Sequence, residues 1–402
     1  MPWQEVSTMS LRQEFITMVQ HGTVRVSELC RRYGVSRKTG YKWLQRYRDE
    51  GTAGLTDRSR RPHRRPRQTA PALEAALVAL RQQHPTWGAR KLRRRLQTLG
   101  RAPVPACSTV TTILHRHRLI PPDAPGGGRA WVRFEHPVPN SLWQMDFKGP
   151  VRTVAGRCHP LGILDDHSRF NLCLRALPNE QTAPVQAALT MTFERYGLPD
   201  TLLADNGSPW GGAWDHPYTP LTVWLLRLGV GVSHGRPYHP QTQGKEERFH
   251  RTLETELLRH HQWRDLAHCQ AAFDRWREVY NCERPHDALA LAVPASRYQP
   301  SLRTFPTTLP PIGYPTGMAV RRVQQGGRLD FQGRPLRVPK AFAGYPVGVQ
   351  PTATGGVFDV WFCQHRITQL DLRRGSECVT HVSGTPVTLD SGPYSKEGGV
   401  GR

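Results

Sequence analysis

The sequence lacks the features of a membrane protein or a secreted protein. It has no run of about 18 apolar residues, the length that a membrane-spanning helix requires. Its first residues, Met-Pro-Trp-Gln-Glu-Val, form neither the basic nor the apolar region of a secretory signal. The eight cysteines are scattered and contain no Cys-x-x-Cys pair, which argues against a disulfide scaffold and a cysteine zinc site. We therefore expect a cytoplasmic protein with no membrane partner.

Lysine is also scarce. Of the 55 basic residues, 48 are arginine and 7 are lysine, and with 32 acidic residues the formal net charge is +23. Arginine offers a planar fork of donors that suits phosphate oxygens, although a GC-rich genome would produce the same bias. Residues 1–136 carry a net charge of +17, whereas residues 137–402 carry +6. A basic first third attached to a more neutral body predicts a nucleic-acid-binding region in front of a second functional part.

Residues 1–57 predict a helix-turn-helix domain. Three short helices are expected at residues 10–20, 28–33 and 37–47, with Ser27 and Ser36 as the N-caps of the second and third. The third helix opens with small and polar residues, where base edges would be met. The expected DNA contacts are Ser36, Arg37, Lys38, Thr39 and Lys42. The alternative is an ordinary three-helix bundle with a basic surface.

Residues 58–136 extend the basic region. Residues 58–69 form a Pro-broken basic linker, whose Arg64, Arg65 and Arg67 either track a DNA groove or remain solvated without contacts. Residues 70–120 predict a second helix-turn-helix domain, with an amphipathic first helix over 71–83 and with Ser108 as the cap of the third helix. The second helix of this domain is strongly basic, and its expected DNA contacts are Arg90, Lys91 and Arg94. Residues 121–136 are a flexible linker.

From residue 137 the pattern changes to strands and helices. Strands are expected at 142–147, 159–165, 169–177, 201–204 and 230–234, and helices at 182–196, 221–228, 243–259 and 267–280. This order predicts a mixed α/β sheet flanked by helices over residues 137–300. Residues 316–375 are rich in glycine and proline with short β-like runs, and they predict a small β-barrel. Residues 383–402 predict a disordered tail.

Three acidic positions of the α/β region are candidates for catalysis. Asp146 lies in an otherwise apolar strand, Asp205 lies where a short strand meets a loop, and Glu247 lies at the start of a helix. Such side chains can converge at one edge of a sheet, and converging carboxylates repel one another unless hard cations neutralise them. Mg²⁺ takes oxygen ligands and binds substrate phosphate, and two such ions promote phosphoryl displacement. The alternative is that each aspartate is only a cap or a turn residue.

Helical periodicity does not separate Glu247 from its neighbour Glu246. If Phe249, Leu253 and Leu257 form the apolar stripe of the helix, position 246 lies nearer that stripe than position 247 does. The pattern alone leaves both glutamates as candidates for the third acid.

Several strings together resemble the integrase-type core of DDE transposases. They are Trp143-Gln-Met-Asp-Phe, Leu164-Asp-Asp-His-Ser-Arg-Phe, Ala204-Asp-Asn-Gly, Tyr238-His-Pro-Gln-Thr-Gln-Gly-Lys-Glu-Glu-Arg-Phe-His-Arg-Thr-Leu and Tyr280-Asn-Cys-Glu-Arg-Pro-His-Asp-Ala-Leu. They stand in the order of the family and cover roughly residues 137–300. With two helix-turn-helix units in front, the chain resembles a bacterial insertion-sequence transposase, which implies a ribonuclease-H-like core.

The resemblance assigns roles residue by residue. Asp146 and Asp205 match the two catalytic aspartates, and Glu247 matches the catalytic glutamate because the family motif places it directly before the Arg of Glu-Arg-Phe. These three residues are then the ligands of two Mg²⁺ ions, with Mn²⁺ as an alternative. The flanking basic residues are expected to hold the DNA end near the ions; they are Lys245, Arg248 and Arg251.

Two other features of the core carry open or modest expectations. The resemblance makes Asp165 and Asp166 a turn between the second and third strands. Residues 208–220 form a surplus loop relative to the common form of the family. Its Trp210 and Trp214 either stack on flipped bases or hold the loop against the core.

The resemblance implies a DNA transposase. Such an enzyme binds the terminal inverted repeats of its element, frees a 3′-OH by Mg²⁺-dependent cleavage, and transfers that strand into target DNA. We expect double-stranded DNA as the partner, a homodimer or higher oligomer, and association with the bacterial nucleoid. The rival interpretations are a helix-turn-helix regulator with an inactive integrase-like core and a non-specific nuclease.

Overall fold

The computed structural model describes residues 7–58, 68–120, 135–205, 207–211, 218–234 and 244–373. The chain divides into two compact units, residues 1–68 and residues 69–402. The predicted basic linker with Arg64, Arg65 and Arg67, the flexible linker up to residue 134 and the predicted disordered tail lie outside the described residues. Among the helices that the structure describes, none is long and apolar enough to cross a membrane.

The first unit is a three-helix domain. It contains α1 (Thr8–Gln20), α2 (Val26–Arg32) and α3 (Arg37–Glu50), followed by a 3-10 turn. Gly40 of α3 allows the helices to pack closely, because a Cβ at this position would lie 2.5 Å from the sulfur of Cys30 and 3.1 Å from the ring of Phe15. Ser36 caps α3 as predicted, with its hydroxyl accepting a hydrogen bond from the Thr39 amide at 3.1 Å. The predicted Ser27 cap is wrong, because α2 begins at Val26, two residues before the predicted start, and its N-cap residue is Arg25.

The second unit begins with another three-helix module, made of α4 (Pro71–Gln83), α5 (Ala89–Thr98) and α6 (Cys107–Arg116). Leu77, Trp87, Leu92, Val110 and Ile113 belong to its core. The predicted Ser108 cap is wrong: α6 begins after Ala106, and no side chain caps it.

The centre of the second unit is a mixed sheet. Its strands are β1 (Leu142–Phe147), β2 (Val151–Thr153), β3 (Gly156–Asp165), β4 (Asn171–Leu177), β5 (Thr201–Ala204) and β6 (Gly231–His234). They lie in the order β2-β3-β1-β5-β6, with β4 also paired to β3. β1 pairs antiparallel with β3 and parallel with β5, and β5 pairs parallel with β6. The predicted mixed sheet is therefore confirmed.

Helices cover both faces of this sheet because the strands are apolar on both sides. The helices are α7 (Thr182–Tyr196), α8 (Pro220–Arg227), α9 (Gly244–Glu256) and α10 (Leu266–Glu278). Side chains of α7 and α8 pack with Trp143 and Met145 of β1 on one face. Side chains of α9 and α10 pack with Leu164 and Leu174 on the other face. Gln144 and Asp146 alternate with Trp143 and Met145, so they lie on the α9 face.

The C-terminal region is made of sheets that do not close into the predicted barrel. Its strands are β7 (Ala319–Arg322), β8 (Arg328–Phe331), β9 (Arg334–Arg337), β10 (Pro346–Pro351), β11 (Val357–Phe362) and β12 (His365–Asp371). Four of them pair antiparallel in the open order β12-β11-β10-β7, and β8 and β9 form a separate hairpin. The apolar face of this region packs with Val223 and Leu226 of α8, so it is buried without closure.

Candidate catalytic site and nucleic-acid surfaces

Asp146 lies near the end of β1, at the middle of the sheet. It stands directly opposite Gly162 of β3, and one of its carboxylate oxygens accepts a hydrogen bond from the Phe147 amide at 2.8 Å. Burial raises the pKa of Asp146 to about 6, and the negative charge of Asp205 contributes further. The shift follows mainly from loss of hydration, which disfavours the charged carboxylate.

The strand register brings Asp205 to the same edge. Gln144 of β1 is the partner of Leu203 of β5 in a parallel pair, so Asp146 and Asp205, each two residues further on, lie at the same level. Gly207 shapes the turn after β5, because its amide donates to the Asp205 carboxylate at 3.0 Å. The two predicted aspartates are therefore neighbours, although 58 residues separate them in the chain.

Helix α9 packs over this strand end. The ring of Phe249 lies so close to Gly162 that a Cβ at position 162 would be 3.0 Å from it. His250, one residue further along α9, lies 3.8 Å from carboxylate oxygens of both Asp146 and Glu246. Burial lowers the pKa of His250 to about 4, so this imidazole is neutral near pH 7 and does not balance the acids.

The two adjacent glutamates of α9 differ in burial. Glu247 is exposed, whereas Glu246 is 1% exposed and points to the sheet. Burial raises the pKa of Glu246 well above its usual value, and the charge of Asp146 raises it further. Both carboxylate oxygens of Glu246 lack a hydrogen-bond partner among the described residues. Helical periodicity indicated this correctly, since Glu246 precedes the buried Phe249 by three residues.

Lys245, a predicted DNA contact, is directed inward. Its ammonium group is paired with the carboxylate of Asp166, which is 1% exposed. Burial lowers the pKa of Lys245 to about 8, although the charge of Asp166 opposes this shift. The expectation that Lys245 faces DNA is therefore corrected, because the lysine satisfies a buried carboxylate. Arg248 and Arg251 are exposed on α9, as a role in DNA binding requires.

The predicted turn at Asp165 and Asp166 is present between β3 and β4. Asp165 accepts hydrogen bonds from the amides of Asn140 and Ser168, both at 2.7 Å. Trp210 from the surplus loop is 2% exposed and belongs to the sheet core, with its ring 5.6 Å from that of Phe147. It thus holds the loop against the core. Trp214 lies outside the described residues.

The predicted DNA contacts of α3 are mostly exposed. Arg37, Lys38 and Lys42 are exposed, and Thr39 is half-buried beside the Ser36 cap. The first turns of α3 thus present basic side chains to solvent, as the sequence predicted.

The predicted contacts of α5 differ from those of α3. Arg94 and Arg90 are both exposed, and Arg90 also lies 3.3 Å from the carboxylate of Asp287. Burial lowers the pKa of Lys91 to about 8. Arg95 of the same helix is paired with Glu283. Arg95 and Arg90 of α5 thus pair with acidic residues that follow α10. Lys91 is half-buried, in contrast to the expectation that it faces DNA, whereas Arg90 stays exposed as expected.

The acids at the sheet edge approach one another in pairs. Within the parts of the chain that the structure describes, no group of three His, Cys, Asp or Glu side chains is arranged to hold a metal ion as it stands.

Family models match most of the chain in consecutive segments. A helix-turn-helix domain matches residues 11–63, and a homeodomain-like domain matches residues 39–114. Integrase core domains match residues 136–240 and 228–294, and the C-terminal domain of IS481 family transposases matches residues 318–378. These matches confirm the predicted helix-turn-helix regions and the integrase-type core.

Two bacterial relatives come from insertion elements. An uncharacterized 31.7 kDa protein of insertion element IS407 from Burkholderia multivorans (strain ATCC 17616 / 249) is 26% identical over 158 residues, which cover 39% of this chain and 55% of that protein. An uncharacterized 39.2 kDa protein of insertion element IS476 from Xanthomonas euvesicatoria is 25% identical over 167 residues, which cover 42% of this chain and 46% of that protein. The chain thus spans about half the length of these curated relatives.

Among solved structures, a chain of the simian T-cell lymphotropic virus intasome in complex with PP2A regulatory subunit B56 gamma is 16% identical. The match covers 71% of this chain and 96% of that chain, with a TM-score of 0.35.

The domain matches and the bacterial relatives agree with the order of the folded parts. The matched domains are an integrase core and the C-terminal domain of IS481 family transposases, and both bacterial relatives belong to insertion elements. The helix-turn-helix domains precede this core, and the IS481-type domain follows it.

Proposed function

We propose that this chain is a DNA transposase that binds the terminal inverted repeats of an insertion sequence, cleaves the 3′ ends of the element and joins them to target DNA with Mg²⁺. The observation that carries the proposal is the pairing of Asp146 and Asp205 at the carboxyl ends of two parallel strands. A helix whose first turn contains two further acids packs beside them. This arrangement brings acidic side chains together at the carboxyl ends of β1 and β5.

The acids suit a divalent metal ion by their donor chemistry and their uncompensated charge. Asp146 has a raised pKa, and Glu246 has two buried oxygens without hydrogen-bond partners among the described residues. A hard cation with oxygen ligands would relieve both. When bound, two Mg²⁺ ions activate the attacking oxygen and stabilise the leaving oxygen. Mn²⁺ would serve the same ligands.

We propose Asp146, Asp205 and Glu247 as the metal ligands. Glu247 is exposed at the first turn of α9, where DNA and ions can reach it, and it occupies the glutamate position of the family motif. Glu246 is the competing candidate because it lies beside Asp146. His250 contributes no positive charge near pH 7, which leaves the acids available to cations.

The remaining proposed steps are the cleavage and joining of DNA strands. Water attacks a phosphodiester at the end of the element and frees a 3′-OH, and this hydroxyl then attacks target DNA without a covalent protein intermediate. Arg248 and Arg251, exposed on α9, would hold phosphates beside the acids. The exposed basic side chains of α3, with Arg90 and Arg94 of α5, would bind the repeat DNA. A dimer or higher oligomer would join the two ends of one element in the bacterial cytoplasm.

The test is Asp205→Asn, assayed with labelled end DNA and Mg²⁺. We expect cleavage and strand transfer to be abolished while binding to end DNA stays nearly unchanged, because binding is assigned to residues 1–120. The matched control is Asp200→Asn, at the other end of β5, where the carboxylate is exposed and contacts Arg303 at 3.2 Å. The control should cleave normally. Retention of more than a few per cent of cleavage by Asp205→Asn would contradict the assignment.

The same gel separates the rival functions. Pre-cut ends that are joined to a target plasmid identify a transposase. Cleavage of unrelated DNA without joining identifies a non-specific nuclease. Binding of end DNA with neither cleavage nor joining identifies a regulator with an inactive core.

A further inference from the structure

Asp166 links β1 and α9, two of the elements that carry the proposed catalytic acids. One of its carboxylate oxygens accepts a hydrogen bond from the side-chain amide of Gln144 at 2.6 Å and is also paired with the ammonium of Lys245. The other oxygen accepts from the His136 amide at 2.8 Å. Gln144 belongs to β1 and precedes Asp146 by two residues, whereas Lys245 belongs to α9 and precedes Glu246. A single buried carboxylate therefore holds both elements.

This link is shielded from water. The side chain of Asp166 is 0% exposed, that of Lys245 is 18% exposed, and Gln144 is 3% exposed. Charge pairs in such surroundings are weakly screened by salt, and a buried carboxylate that loses its cation is left without compensation. The pair therefore constrains where the first turn of α9 can lie.

We propose that Asp166 is a positioning residue, which fixes the first turn of α9 against the end of β1 and so sets the separation between the acid of β1 and the acid of α9. The catalytic consequence rests on the proposed function. In this role Asp166, which the sequence placed only in a turn, acts in catalysis through α9, and Lys245 acts as its ion-pair partner instead of a DNA contact. Misplacement of a reacting group by about 1 Å can cost a factor of about 100 in rate.

The first measurement is made on the metal-free full chain. Lys245→Met removes the ammonium and keeps an apolar stem. We expect amide hydrogen exchange to become at least about tenfold faster at residues 248–251, whose N–H groups donate to the carbonyls of the first turn of α9, and to remain unchanged in α10 (Leu266–Glu278). The matched control is Arg259→Met. Arg259 lies just beyond the end of α9, is 66% exposed and pairs with Glu254 near the end of that helix. The control should leave exchange at residues 248–251 unchanged.

The second measurement separates positioning from DNA contact and from folding. In steady-state cleavage with Mg²⁺, Lys245→Met should lower kcat about 100-fold with little change in KM for end DNA. Lys245→Arg should restore most of the rate because it keeps the charge. Asp166→Asn combined with Lys245→Met should be no slower than the worse single variant, since residues that act as one unit give non-additive effects.

Three results would overturn the proposal. A raised KM with unchanged kcat and unchanged exchange would make Lys245 a DNA contact. Unchanged kcat per folded molecule with a lower folded fraction would make the pair purely structural. Additive effects in the double variant would make the two residues independent.

Two provisions keep the outcome decisive. If Lys245→Met does not fold, Gln144→Leu removes one hydrogen bond to the same oxygen and leaves the ion pair; it should shift exchange and kcat in the same direction by a smaller factor, and no shift would overturn the proposal. If the wild-type protein fails to cleave DNA, the proposed function has failed, but the exchange measurement still decides whether Asp166 fixes the first turn of α9.

Discussion

The adjacent glutamates of α9 provide a sharp test of the proposed site. We expect Glu247→Gln to eliminate 3′-end cleavage and Glu246→Gln to retain most of it. Glutamine keeps the size and hydrogen bonding of glutamate but removes the charge that a Mg²⁺ ligand requires. Because the pKa of buried Glu246 is raised well above its usual value, its carboxyl is already neutral over pH values at which an exposed carboxyl is charged. Glutamine is close to isosteric with that neutral form.

The same substitution should change how stability depends on pH. The unfolded pKa of Glu246 is close to 4.5 and its folded pKa is higher, so the folded state binds this proton more tightly. The resulting stability is fully present below the unfolded pKa and is lost as the pH rises through the folded pKa, at about 1.4 kcal/mol per pH unit. Glu246→Gln has no such proton to lose. We expect the variant to melt near the wild-type temperature at pH 5 and above it at pH 8.

Two measurements complete this test. Single-turnover cleavage of labelled end DNA with Mg²⁺ compares the activities, and circular dichroism melts of the metal-free proteins at pH 5 and pH 8 compare the stabilities. Glu247→Gln is the control for the melts, since Glu247 is exposed. An active Glu247→Gln beside an inactive Glu246→Gln would reverse the assignment, and the position of Glu246 next to Asp146 gives that outcome a structural basis. Equal pH dependence in wild type and Glu246→Gln would refute the burial argument.

Three further predictions concern other parts of the chain. Arg37→Gln and Lys42→Gln, on the exposed side of α3, should weaken binding to end DNA. They should also reduce the slope of log affinity against log salt by about one for each phosphate that is no longer neutralised. Titrations at several salt concentrations measure this slope, and an unchanged slope would show that these residues do not contact DNA. Gly40→Ala should destabilise the first unit by about 1–3 kcal/mol because of overpacking, measured by urea unfolding, and Cys30→Ala in the same chain should recover part of this stability if the sulfur is the obstacle. Trp210→Ala should lower the free energy of unfolding by about 3–5 kcal/mol because it empties a buried site. Thermal melts should show this loss, and binding titrations should show unchanged DNA binding per folded molecule. If Trp210 instead stacks on bases, the variant should keep its stability and bind DNA more weakly.

Elements with a strong local pattern were predicted to the residue. β1, β5, α4 and α7 have the expected bounds, because each combines a continuous apolar pattern with a clear break at both ends. The strand order also placed Asp146 and Asp205 at one edge, since carboxyl ends of neighbouring parallel strands must meet there.

Features that depend on contacts with residues far away in the chain could not be predicted from the local sequence pattern. The inward direction of Lys245 follows from Asp166, which lies 79 positions earlier, and the ion pair between Arg90 and Asp287 likewise joins distant parts of the chain. The sequence of β12, His-Arg-Ile-Thr-Gln-Leu-Asp, mixes polar and apolar residues and does not by itself predict a strand. The strand forms because β11 provides an edge with which it pairs. The predicted barrel failed for a related reason, since α8 and the β8–β9 hairpin cover the face that closure would have buried.

The contacts between α5 and the segment after α10 have a geometric consequence for the proposed reaction. Arg95 with Glu283, Arg90 with Asp287 and the packing of Val279 on the α4–α6 core attach this module to the catalytic core. DNA gripped by the module would then reach the acids after a fixed span. The cleavage position would be set by a fixed number of base pairs from the sequence that the module binds. A base pair inserted between that sequence and the cleavage site would shift the cut by one nucleotide.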